Sequence, residues 1–159
     1  MGAREKDLNP DVYIGIRLPM EMGPDGTFKR TKTSLEQTKY NIINLLKTMK
    51  GERLGQPTFG SNIHKALFEP MTVDIETQIE EEINISLAEW LSYVTIKEIK
   101  FKHSHELDNQ ITISIIFSLS FEPDRFGSVQ VDFDAFEDIL LSEEVPIIPV
   151  SHGGNQGGI

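Results

Sequence analysis

The stretch K-G-E-R-L-G-Q-P-T-F-G-S-N-I-H-K-A-L-F-E-P, from Lys50 to Pro70, decides how the chain folds. Its glycines and prolines read as a rigid corner between two helices. Gly51 is placed to cap the helix before it, Pro57 fixes one backbone angle, and Phe59 sends a ring inward where Gly60 permits a sharp turn. Ser61 then reads as the cap of a short helix that points Ile63, Leu67 and Phe68 at the core. That helix stops at Glu69-Pro70, because proline disfavours helix at the residue before it.

Working outward, Leu35, Ile42, Ile43, Leu46 and Met49 recur at helical spacing, and Ser34 with Gln37 offers a capping box. This predicts a helix from about Ser34 to Lys50. Downstream, Thr72 or Asp74 starts a longer helix to about Leu91, with Ile75, Ile79, Ile83, Leu87 and Trp90 or Leu91 on its buried stripe. Its only charges are Asp74, Glu76, Glu80, Glu81, Glu82 and Glu89, which make either a solvated acidic face or a docking surface for a basic partner.

Beyond Ser92 the period changes to that of a strand. Val94 and Ile96, then Ile99 and Phe101, alternate out of phase and predict a bulge near Lys97-Glu98. Ile111 to Phe121 alternates most strongly, Glu122 to Gly127 reads as a turn, and Val129, Val131 and Phe133 define a last strand. Near the start, Val12, Ile14, Ile16 and Leu18 alternate in a strand that Pro19 ends. A turn-rich linker around Pro24 to Gly26 sets it apart, so it pairs either within its own sheet or with a neighbour's. The class is α+β: two main helices plus a short helix packed on a small, mainly antiparallel β-sheet, with extended N- and C-terminal arms. Residues 1–33 form the N-terminal strand and linker arm, 34–134 the core, and 135–159 an extended C-terminal arm containing V-P-I-I-P-V.

A chain of 159 residues suits one domain. Its formal charge of −10 repels phosphate backbones and anionic lipid, which predicts no nucleic-acid and no membrane partner. With no cysteine, disulfides and thiolate zinc sites are excluded. The N-terminus has no apolar core of signal-peptide length, and no apolar run approaches the roughly 20 residues that span a bilayer. Glu52, Glu69 and His64 lie close in sequence, and glycosidases use paired carboxylates, but this spacing meets no acid/base template. His103 and His105 with Glu106 and Asp108 lack a third well-placed ligand and read as a solvated hairpin tip. Gly51, Gly55 and Gly60 match no phosphate-binding or dinucleotide loop. The reading is of a non-enzymatic protein without cofactor or metal.

The order K-G-E-R, P-T-F-G-S, L-F-E-P and then a long helix resembles the baseplate wedge or sheath-initiator family of contractile-tailed phages and related injection machines, a lysozyme-like wedge protein family. The resemblance covers roughly Ser34 to Phe133, and Arg53, Pro57, Phe59, Gly60, Phe68, Glu69 and Pro70 carry its most specific part. The family's Glu-Pro-Arg triplet after the long helix is absent here, where Leu91 to Ile96 reads L-S-Y-V-T-I, and no residue is carried across for it. The resemblance implies a structural subunit made in the host cytoplasm and built into the virion at the tail baseplate. It would be present in multiple copies of a symmetric assembly, docked on other wedge subunits, near tube or hub proteins, and offering strands to the tail sheath protein. Val12, Ile14 and Ile16 at one end and Val129, Val131 and Phe133 at the other are the candidates for strand exchange. The competing readings are a peptidoglycan-cleaving glycosidase using Glu52 or Glu69, and a cytosolic adaptor of similar fold.

Overall fold

Two helices lay their apolar stripes on one face of a three-stranded antiparallel sheet in the computed structural model, which describes residues 3–9, 11–66, 73–103 and 110–134. In chain order the elements are α1 (Ala3–Asp7), β1 (Gly15–Ile16), β2 (Arg30–Thr31), α2 (Ser34–Lys47), α3 (Ile63–Ala66), α4 (Val73–Trp90), β3 (Val94–His103), β4 (Gln110–Leu119) and β5 (Glu122–Asp134). β1 and β2 form a separate two-stranded sheet, and β3-β4-β5 is a meander with β4 in the middle. The fold is α+β, and α2, α3, α4 and the β3-β4-β5 meander follow in the order that the periodicity predicts, whereas α1 and the separate β1-β2 sheet are additions to that reading.

The core is where the stripes meet. Ile42, Leu45 and Leu46 of α2, Ile75, Ile79, Ile83 and Leu87 of α4, and Ile111, Ile113, Ile115 and Phe117 of β4 are all buried, joined by Val129, Val131 and Phe133 of β5. Each such side chain contributes about 1.5–3 kcal/mol by leaving water. β4 alternates because only one of its faces is covered, so Thr112 and Ser114 turn to the open face. The predicted bulge is present between Ile96 and Glu98, and it brings Ile99 and Phe101 back to the core side.

Several boundaries differ from the sequence reading. The N-cap of α2 is Thr33, whose side chain accepts the Glu36 N–H, while Ser34 gives both its N–H and its hydroxyl to Asp7 Oδ1 at 2.8 Å. A carboxylate from α1 thus sits at the positive end of α2. The helix ends at Thr48, whose N–H and hydroxyl both donate to the Asn44 carbonyl, and not at Gly51, whose N–H donates to Pro57. Met49 therefore lies beyond the helix and is exposed. Ser61 does not cap α3: it is buried and its hydroxyl donates to the Leu46 carbonyl at 2.8 Å.

The expected turn from Glu122 to Gly127 is strand. The chain reverses at Ser120-Phe121, which leaves Phe121 exposed, and β5 starts at Glu122. Leu119 faces Glu122 and Ser118 faces Phe126, so Pro123, Asp124 and Arg125 bulge out of register where proline has no N–H for the ladder. At the other end of the sheet His103 belongs to β3 and not to a hairpin tip.

The N-terminal strand is much shorter than Asp11 to Leu18. Only Gly15 and Ile16 are strand, paired with Thr31 and Arg30, while Val12 and Ile14 flank it and the Ile14 N–H donates to Thr31. The turn-rich linker is the rest of this hairpin: Met22 bridges Phe28, and the Gly23 N–H donates to the Thr27 carbonyl. The reading as a detached strand is thereby corrected, because the chain after Pro19 folds back on it. Leu67, Phe68, Glu69, Pro70 and Thr72, the His105–Glu106–Asp108 group, and the C-terminal arm at 135–159 lie outside the described residues.

Candidate functional site

The corner is built by polar groups that reach into the core. Thr48 and Lys50 straddle a parallel bridge between Met49 and Ser61, with the Ser61 N–H donating to Thr48 O at 2.9 Å and the Lys50 N–H to Ser61 O at 3.3 Å. Gly60 has φ +118°, and a Cβ there would overlap the Thr48 carbonyl oxygen. A side chain is therefore excluded twice, by conformation and by space. The Arg53 guanidinium lies 3.8 Å from the centre of the Phe59 ring, which meets Trp90 edge-on at 5.2 Å. Arg53 and Phe59 thus tie the corner to the end of α4, while Pro57 accepts the Gly51 N–H.

Glu82 is the hub that sequence reasoning missed. Its Oε1 accepts from Lys50 Nζ at 2.7 Å, from the Asn62 N–H at 3.0 Å, and from Asn62 Nδ2 and Ser86 Oγ at 3.4 Å. Burial pushes its carboxyl up, but the bonds from Lys50 and Asn62 outweigh that and hold it below the usual carboxylate range. The face of α4 is consequently not uniform, since Glu82 is paired inside and Glu76 meets His103 Nε2, whereas Glu80, Glu81 and Glu89 are exposed. The partners of Glu82 come from the corner, 20 and 32 residues away, where no local pattern on the helix points.

Two of the residues weighed for catalysis do come together. Glu52 and His64 line one cleft of about 410 Å³, with Lys50, Asn62 and Lys65. The Glu52 carboxylate accepts the Met49 N–H at 3.0 Å, and the buried His64 ring stands edge-on to Phe133 at 5.3 Å. Both side chains thus have structural company: one closes the turn after α2 and the other packs α3 on β5. Among the described residues, no group of three or more His, Cys, Asp or Glu is placed to hold a metal ion.

The strand-exchange candidates occupy two different sheets. Val129, Val131 and Phe133 are buried toward the helices on β5, an edge strand of 13 residues that pairs only with β4 among the described residues. Among the described residues its other backbone edge carries no strand. Val12, Ile14 and Ile16 lie on the N-terminal hairpin, where Ile16 is exposed.

A family model described as baseplate wedge protein gp25 matches residues 33–124, more than half of the chain. That match begins at the N-cap of α2 and ends in the bulge of β5. No curated protein matches the chain. Among solved structures, the chain resembles a candidate tail lysozyme from Geobacter sulfurreducens at 20% identity and a TM-score of 0.58, over 64% of this chain and 91% of that one. It also resembles a chain of the anti-feeding prophage baseplate, again at 20% identity and a TM-score of 0.58, over 66% of this chain and 83% of that one. At such identity the two structures establish a shared fold. Because the corner, the helices on either side of it and the first two strands of the following meander fall within the family match, the chain belongs to the gp25 family of baseplate wedge proteins.

Proposed function

We propose that this protein is a non-enzymatic structural subunit of a contractile-tail baseplate, which docks on neighbouring wedge subunits and starts the first sheath ring by accepting a strand along β5. Family membership supports the general role in baseplate and tail assembly. The observation that carries the finer reading is the open edge of β5, whose inward side chains are already buried while its outer backbone is unpaired among the described residues. Added strands gain main-chain hydrogen bonds without needing a pocket, which suits a joint repeated around a tail tube. β1 is a poorer donor for such a joint, since it is two residues long and already paired with β2. The rigid corner serves this role by fixing α2 and α4, on which the sheet rests. Its place is the virion, with wedge and sheath proteins as principal partners and tube or hub proteins close by.

A reconstruction of the assembled tail should show a sheath segment lying extended and hydrogen-bonded along β5. A sheath subunit held only through the helices would overturn the strand-acceptor reading. The cleft shared by Glu52 and His64 gives the glycosidase reading its one geometric support. Purified protein should leave the turbidity of a peptidoglycan suspension unchanged; clearing that Glu52→Gln abolishes would replace the structural reading with an enzymatic one.

A further inference from the structure

The hairpin spanning residues 13–32 lies ahead of the residues that the family model matches. Its inward side is firmly held: Gly15 is so close to α2 that a Cβ there would overlap the end of Gln37, and Thr31 is buried with its hydroxyl donating to Gln37 Oε1 at 2.6 Å. Arg17 anchors it further by donating to the Tyr40 hydroxyl. The outward side, by contrast, is exposed. Met22 is 60% exposed, Phe28 and Tyr13 are each 46% exposed and Ile16 is 43% exposed. Phe28, Arg30 and Lys32 alternate outward along the second arm of the hairpin, with Arg30 and Lys32 set 3.9 and 5.4 Å from the centre of the Tyr13 ring. Arg17, Lys29, Arg30 and Lys32 against Glu21 and Asp25 make this segment positive in a chain of charge −10.

Aromatic rings, methionine and arginine on a rigid support are the composition of a protein-binding centre, and a prepared surface costs little ordering on contact. We propose that the hairpin is a docking face for a second copy of this chain and that it seats on the outer side of α4. That side carries the matching surface. Asp74, Glu81, Ile85 and Glu89 share one face at helical spacing, Ile85 is 57% exposed, and neither Glu81 nor Glu89 has an ion-pair partner among the described residues. Glu81 and Glu89 lie about 12 Å apart along the helix, and Phe28 to Lys32 spans about 13 Å of strand. An apolar centre flanked by acids therefore meets an apolar centre flanked by cations. The net negative charge disfavours phosphate polymers and acidic lipid as occupants of the same hairpin. Because the two faces differ, the contact joins copies head to tail, which suits a ring or an open row. This goes beyond the β5 edge and does not depend on it.

Sedimentation of the full chain at about 0.15 M salt should show a mass that rises above the monomer with concentration and falls back at about 1 M salt. Arg30→Glu with Lys32→Glu, and separately Glu81→Lys with Glu89→Lys, should each weaken association by at least about ten-fold. Mixing the two reversed chains should restore it, and this rescue excludes misfolding as the cause. Ile85→Ser removes the apolar centre and should weaken association without touching a charge. A wild-type chain that stays monomeric throughout, or reversed chains that still associate, would overturn the proposal. Binding of a monomeric chain to phosphatidylserine vesicles through Arg30 and Lys32 would overturn it too and assign the hairpin to a membrane.

Discussion

The corner at Met49–Asn62 and the hairpin at 13–32 are both runs of turn residues, yet they are stabilised in opposite ways. In the corner, polar groups point inward and are satisfied there: Ser61 on Leu46 and Thr48, Asn62 on Glu82, and Ser86 on Gly60. In the hairpin, Thr31 on Gln37 and Arg17 on Tyr40 hold the inner side, but the outer side has only surface pairs, such as Lys29 with Glu21 and Thr27 with Asp25, and leaves large apolar side chains facing water. Buried, satisfied polar bonds fix one geometry, because leaving any of them unmade costs the full desolvation of the group. Surface pairs do not, since water replaces them readily. The corner is accordingly the part that sets the shape of the fold, and the hairpin is the part free to serve a surface.

Glycine substitution should separate the two regions most sharply. Gly60→Ala forces a Cβ against the Thr48 carbonyl at φ +118°, beside a bridge that cannot move without breaking the Ser61 bonds. A loss of about 3 kcal/mol or more is expected in urea unfolding, the sum of an unfavourable backbone conformation and a backbone overlap. Gly26 also has positive φ, +74°, but open space surrounds it. Gly26→Ala should cost about 1 kcal/mol, from conformation alone. Equal losses at the two positions would erase the distinction drawn between corner and hairpin.

The next effect is pH-dependent and belongs to Glu82. Its carboxyl is held below its usual range in the folded protein, so its contribution is fully present above the unfolded-state value, close to 4.5, and is lost as pH falls through the lower folded value. Glu82→Gln should therefore lower stability at neutral pH by about 2 kcal/mol, by leaving Lys50 without its carboxylate and weakening the bond to Asn62. The gap between wild type and variant should narrow as pH falls below that range. A gap that stays constant down to strongly acid pH would mean that Glu82 acts by packing and not by charge. Glu21 and Asp25 in the hairpin are also held low, by Lys29 and by Thr27 respectively, but both lie at the surface and their replacement should leave the acid limb of the curve where it is.

Period made the sheet and the two long helices legible in the sequence. Ile111 to Leu119 and Ile75 to Leu87 repeat often enough for the covered face to be read directly, and the bulge at Ile96–Glu98 showed as a break in phase. The corner was legible as a corner but not in its bonds. Ser61 looks like any helix cap until Leu46 is brought beside it, and Glu82 looks like its neighbour Glu81 until Lys50 arrives from 32 residues away. The capping of α2 shifted by one residue for the same reason, because Asp7, 27 residues upstream, takes Ser34. The hairpin reads differently from the sequence since Val12 to Leu18 alternates over more residues than pair, Arg30-Thr31 is too short to show a period, and Pro19 and Pro24 look like a linker wherever the chain does not show what folds back. At the candidate site, the sequence located Arg53, Phe59 and Gly60 in the corner and the last strand at the open edge, while Phe68, Glu69 and Pro70 lie outside the described residues.

The smallest expected effect is the one that most tests the contrast. Met22 and Phe28 face each other across the hairpin with more than two fifths of each exposed, and neither belongs to the hydrophobic core or to the side chains packed against it. Met22→Ser with Phe28→Ser should change the unfolding free energy by no more than about 0.5 kcal/mol, since substitutions away from buried features seldom do more. The same exchange at two buried positions, for example Ile79 and Ile113, would remove the transfer energy of each side chain and leave cavities behind, at about 2–5 kcal/mol apiece. Stability and surface function then come apart: the hairpin variant should melt like the wild type yet lose concentration-dependent association. If it melts early instead, these side chains support the fold, and their exposure is not a sign of a surface kept for a partner.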